Sequence, residues 1–100
     1  MIASVGMIQR SWGDARPMRT ASWTSEPFEE GLVLHQASSG RIVELDAAGA
    51  TILALCDGMT SGSEIVAMLT AAFPEARAQI TTDVDQTLER LLAAEVIALA

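Results

Sequence analysis

The chain has no lysine and no tyrosine, and only one cysteine and one histidine in its 100 residues. Each shortage removes a class of function. Its positive charge is carried by six arginines against 13 carboxylates, for a formal net charge of −7. From Gly31 onward three arginines, Arg41, Arg77 and Arg90, stand against nine carboxylates, a local balance of −6. Three scattered arginines cannot supply the phosphate contacts on which nucleic-acid affinity rests, so a polyanionic partner is disfavoured. A single cysteine excludes an internal disulfide, and no run approaches the roughly 18 apolar residues of a membrane span. A cytoplasmic, reducing setting is therefore expected, with no membrane partner. The opening stretch before Arg10 is a short apolar run with no positive segment ahead of it, unlike a signal peptide. Met7 and Met18 are alternative starts.

What is present is unevenly placed. Of 23 isoleucines, leucines and valines, 20 lie after residue 30. A core is expected from about Gly31 onward, in an ordered unit of roughly 70 residues, near the lower limit for unaided folding. Residues 1–19 show neither a strand nor a helix period and read as a disordered tail, with residues 20–100 as the folded domain. Around Ala21 to Thr24 a short extended piece is possible, and Trp23 and Phe28 read as anchors onto the core.

Beyond this point the periods become regular. Gly31 to His35 and Arg41 to Leu45 are two β-branched runs separated by the five residues Gln36 to Gly40, which predicts a hairpin. Asp46 is placed to cap a first helix over Ala47 to Cys56, with Ala48, Ile52, Leu55 and Cys56 inward and Gly58 as the left-handed stop. Ser61 and Glu64 have capping-box spacing and open a second helix that buries Ile65, Met68, Leu69 and Ala72. Phe73 and Pro74 end it. A third helix is expected from Thr81 or Thr82, with Asp83 and Asp85 in its first turn and Val84, Leu88, Leu91 and Leu92 inward. Val96 and Ile97 then form a short extended piece. Strands first and three helices after them make an α+β unit of winged-helix type.

Candidate chemistry is sparse. His35 has no cysteine or carboxylate at ligand spacing, so no metal site is implied. Cys56 falls on an apolar helix stripe with no cation to activate it, and reads as a buried structural residue. The Ser61, Gly62, Ser63 run lacks the lysine and the preceding strand of a phosphate loop, and capping explains it. Asp83, Asp85 and Glu89 share a helix without a cleft around them and read as a solvated face rather than an acid and base pair. The chain is therefore expected to be non-catalytic and to need no cofactor. A sheet this small leaves the strand Arg41 to Leu45 with an open edge, which invites strand addition by a peptide unless the Ala21 to Thr24 segment or a second copy covers it.

The run Leu45-Asp46-Ala47-Ala48, then Ile52 to Gly58, Thr60, Glu64-Ile65-Val66 and Phe73-Pro74, resembles the family of the pyrroloquinoline-quinone synthesis protein D. The resemblance extends over about residues 21–97, with Asp83-Val84, Leu88 and Leu91-Leu92 at matching spacing. It implies a non-catalytic peptide chaperone, a recognition element for ribosomally made, post-translationally modified peptides. Such a protein binds the leader of a precursor peptide and presents it to a maturation enzyme. In the family the leader adds to the edge of the third strand and packs against the third helix. Carried over, the resemblance places the peptide on Arg41, Ile42, Val43 and Glu44, facing Val84, Asp85, Leu88, Glu89 and Leu92. Leu88 and Leu91 have a core reading of equal weight, and Asp85 a capping one.

The chain departs from the quinone-pathway pattern at His35 to Arg41, where a Tyr-Pro-Glu-Gly segment is usual. Gly40-Arg41 to Leu45 followed by Ala48-Gly49-Ala50 is similar to the stand-alone recognition proteins of lasso-peptide pathways. The implied enzyme partner is thus a radical S-adenosylmethionine protein or a separate leader peptidase, and the expected state a monomer or weak dimer. A winged-helix DNA-binding regulator and a subunit that self-associates through its sheet edge are the competing readings.

Overall fold

The two β-branched runs do form a hairpin, and a further strand lies against its first arm. The computed structural model describes residues 12–100. In chain order these form β1 (Pro17–Arg19), β2 (Thr24–Phe28), β3 (Gly31–Gln36), β4 (Arg41–Leu45), α1 (Ala47–Ala54), α2 (Gly62–Ala72), a 3-10 turn (Pro74–Ala76), α3 (Arg77–Ala93) and β5 (Ile97–Leu99). The α+β class holds, with two antiparallel sheets: β1 with β5, and the order β2-β3-β4.

In the larger sheet Leu32 faces Leu45 and Leu34 faces Val43, while His35 faces Ile42 and Val33 faces Glu44. Side chains alternate across a strand, so the first two pairs point toward the helices and the other two away from them. Leu34 and Leu45 are accordingly buried and Ile42 is exposed. Gln36 belongs to β3, which shortens the expected five-residue loop by one, and Gly40 closes the turn at φ 76. The extended piece expected at Ala21 to Thr24 is displaced to β2, and it pairs with β3 on the side away from β4. Trp23 anchors it in the core as expected; Phe28 does not, being 56% exposed.

Asp46 caps α1, its side chain accepting the Gly49 N–H at 2.8 Å. The helix stops at Ala54 rather than Cys56, and the Leu55 and Cys56 amides turn back onto the carbonyls of Ile52 and Leu53. Gly58, at φ 81, donates its N–H to Pro17 and so docks β1 instead of ending the helix. The inward residues are Gly49, Ile52, Leu53 and Cys56, and Ala48 is exposed. The capping box of α2 is complete: Ser61 accepts from the Glu64 amide, and Glu64 accepts from the Ser61 amide. Ile65 is buried and Leu69 partly so, whereas Met68 and Ala72 are exposed.

The third helix begins at Arg77, one turn earlier than expected. Pro74 sits at the start of the 3-10 turn, where its missing N–H costs nothing, and so nucleates the next element as well as ending the last. Asp83 and Asp85 therefore lie beyond the first turn and gain little from the helix dipole.

The expectation of a tail is corrected over residues 12–19. β1 pairs with β5, Trp12 and Pro17 are buried, and the Gly62 amide donates to the Ala15 carbonyl at 3.0 Å. A β-carbon on Gly62 would lie 2.1 Å from the Trp12 carbonyl oxygen, so only glycine lets this segment close on α2. A three-residue strand and two lone anchors carry no period, which is why the pattern does not reveal them. The rest of the expected tail, residues 1–11, lies outside the described residues. The core joins Trp12, Trp23, Leu34, Ile52, Leu53, Ile65, Val84, Leu88, Leu91 and Ile97 from every layer.

Candidate functional site

The three-stranded sheet ends in two edges of different character. In β2 Pro27 removes one of the backbone donors, a common way of blunting an edge. β4 contains no proline, and among the described residues β3 is its only strand partner. The outward main-chain groups between Arg41 and Glu44 therefore face no strand of the described residues.

Arg41 is held from within the fold. Its guanidinium lies 5.4 Å from the Trp23 ring centroid, donates to the Ala94 carbonyl at 2.6 Å and meets the Glu95 carboxylate at 3.4 Å. The beginning of β4 is thereby fastened to the C-terminal end of α3. Trp23 completes the clamp by donating its indole N–H to the Glu95 carbonyl. Val43 is half-buried on the inner face, and Glu44 is exposed on the outer one.

The helix residues assigned to the groove separate into three sets. Val84 and Leu88 are both 0% exposed and belong to the core; Leu88 lines none of the cavities described below, while Val84 lies behind an apolar hollow among the helices rather than beside β4. Asp85 is exposed, Glu89 and Leu92 are half-buried, and Glu89 accepts the indole N–H of Trp12 at 3.0 Å. That flank of α3 faces the N-terminal segment. Desolvation, reinforced by the Glu89 carboxylate, holds Asp85 above the usual aspartate value.

The opposite flank borders β4. Arg90 lines a cavity of about 570 Å³ together with Glu29, Glu30, Glu44 and Asp46, at the end of β4. Asp83, Gln86 and Thr87 continue the same flank over Asp46 and Ala48. These residues are missing from the expected set. With Val84, Leu88 and Leu91 inward, helical spacing permits a groove stripe on either side, and the cavity that Arg90 shares with Glu44 marks the side that borders β4. Four carboxylates against one arginine make the cavity suited to a neutral or basic segment and repellent to an acidic one.

Away from the edge, Cys56 is buried and its thiol is pushed up to about 12, mainly by burial, with Asp57 adding and Arg19 opposing. The thiolate is therefore scarce. Asp57 is held below the usual range by the amide of Met59, the hydroxyl of Thr60 and other local donors. His35 is exposed on the outer sheet face. Among the described residues no cluster of three or more histidines, cysteines or carboxylates could hold a metal, and no helix is long and apolar enough to cross a membrane.

The family described as Coenzyme PQQ synthesis protein D (PqqD) matches residues 30–97. The chain belongs to the PqqD family. Its architecture agrees with a solved structure titled "TbiB1 in Complex with the TbiA(beta) Leader Peptide", at a TM-score of 0.67 and 24% identity over 80% of this chain and 93% of that one. No curated protein sequence matches the chain. The PqqD match begins at Glu30, so it includes β3, β4 and all three helices but not β1 or β2.

Proposed function

We propose that this PqqD-family chain binds the leader of a ribosomally made precursor peptide as an added strand on β4 and presents it to a maturation enzyme. The single observation that carries this is the β4 edge: without a strand on its outer side among the described residues, free of proline, and clamped in place by Arg41. Main-chain pairing along Arg41 to Glu44 supplies affinity, and side-chain pockets beside the strand supply selection. On the helix the contacts fall to the flank of Asp83, Thr87 and Arg90, with Asp85, Glu89 and Leu92 on the far side. TbiB1, which shares the architecture, was solved with a leader peptide. Ordering a flexible leader offsets much of the contact energy, so affinity should be about micromolar or somewhat tighter. The enzyme partner is a radical S-adenosylmethionine protein or a leader peptidase. A DNA-binding role is opposed by the net charge of −7 and the absence of lysine.

The test is a titration of the ¹⁵N-labelled chain with the synthetic leader of the precursor encoded beside it. Shifts should concentrate on the amides of residues 41–45 and on the Asp83 to Arg90 flank. Shifts confined to other elements, or none at saturating leader, would sink the reading.

A further inference from the structure

Three cavities meet at the first turn of α1. The acidic cavity shares Asp46 and Arg90 with a second of about 290 Å³, and the second shares Ala48 and Asp83 with a third of about 270 Å³. The third lies among all three helices and is almost wholly apolar, walled by Ile52, Leu69, Phe73 and Ile80. Folding alone does not account for it. An open apolar hollow forfeits contacts on one side of each lining group, and Phe73 on its wall is 55% exposed. A larger residue at the exposed position Ala48 would close its mouth, yet the chain has consecutive alanines there.

The hollow is within reach of the β4 edge. Ala48 follows Leu45, the last residue of β4, by three positions, at most about 11 Å of chain. A peptide extended along β4 advances about 3.3 Å per residue, so it arrives at Ala48 within about four residues past the strand end. We infer that this hollow receives a bulky apolar side chain of the leader, located within about four residues beyond the stretch that pairs with β4. The leader is the occupant because adjoining cavities share lining residues from the β4 edge, through a charged rim, to an apolar hollow in which an apolar side chain leaves water. The inference rests on strand addition at β4.

The test uses the full chain, the synthetic leader of the neighbouring precursor, and a leader series in which each bulky apolar residue is replaced by serine, read by fluorescence anisotropy. Ala48→Trp fills the mouth of the hollow, and Phe73→Ser removes a wall while keeping the core residues. One leader position should lose about tenfold or more in affinity on replacement by serine, as expected for withdrawing one buried apolar side chain. Ala48→Trp should cost the unmodified leader a similar factor and cost that serine leader nothing further. If Ala48→Trp does not fold by circular dichroism, Phe73→Ser is read in the same way. Unchanged affinity in the variant, or losses that multiply when variant and serine leader are combined, would overturn the inference. So would a Phe73→Ser change that alters sedimentation but not leader affinity, since the hollow would then serve a second copy of the chain. Wild-type leader shifts at residues 41–45 in the presence of any of these results would leave strand addition standing and remove the apolar subsite alone; their absence would remove both.

Discussion

In the ribbon of β1 and β5 the far side of β1 is met by a bridge from Met18 to Asp57, while in the larger sheet β4 has, among the described residues, a strand on one side only. Both sheets are small and antiparallel, and both lie near the end of α3. They differ in what the N-terminal segment does. Residues 12–19 could in principle have paired with β4 and hidden it, but they join β5 and pack on α2 instead. One sheet consumes its hydrogen-bonding capacity in holding the domain together, and the other keeps a strand's worth in reserve. The contrast shows that an open edge in so small a protein is compatible with a stable core when another pair of strands does the structural task.

The largest effect that would test the contrast is at Trp12. Trp12→Ala removes a buried indole that also donates to Glu89, and should cost about 3–5 kcal/mol in urea unfolding, much of the stability of a domain this size. A cost below about 1 kcal/mol would make the ribbon an accessory and break the division of roles. The next effect is at the edge. Neighbouring residues of an edge strand point their amides alternately toward the partner and toward solvent, so Ile42→Pro and Val43→Pro should differ. One should keep its melting temperature and lose leader binding beyond detection, while the other loses about 1–3 kcal/mol of stability with an unsatisfied partner on β3. Two proline variants that both fold and both bind would rule out strand addition.

A smaller effect is expected at the clamp. Arg41→Ala forfeits the Trp23 face and the Ala94 carbonyl bond and should cost about 1 kcal/mol, with amide exchange accelerated first at the beginning of β4. The smallest concerns Asp85. Its folded-state value is raised, so its protonated form favours the fold below about 3.8, and that advantage is lost as the pH rises through the folded value. Asp85→Asn should therefore stabilise the protein near neutrality by at most about 0.5 kcal/mol, the exposed side chain being screened by solvent, and the gain should vanish at lower pH. An equal gain at every pH would assign the effect to something other than charge.

The regions legible in the sequence are those whose signals are periodic or chemical. The hairpin, the Asp46 cap, the Ser61 and Glu64 capping box and the inward face of Val84, Leu88 and Leu91 all come from spacing, and each stands in the structure. β1 is three residues long and Trp12 is a lone anchor, so neither produces a pattern. Of the residues proposed for the groove, Arg41, Ile42, Val43 and Glu44 lie on β4 as the β-branched run implies, but which flank of α3 lies beside them depends on long-range packing, Arg90 beside Glu44, that no helical spacing encodes. Val84 and Leu88 show the limit of a repeat: the same spacing that marks a helix face cannot tell a core from a binding groove.

The main-chain bond from the Ala100 amide to the Arg16 carbonyl, at 2.8 Å, brings the last residue beside the approach to β1. Anything attached to residue 100 therefore meets the domain beside β1, at the structural ribbon. A surface tether, a fluorophore linker or a fused enzyme joined there would hang from the ribbon rather than from β4. Immobilising the protein through residue 100 should leave the main-chain groups of β4 free to pair.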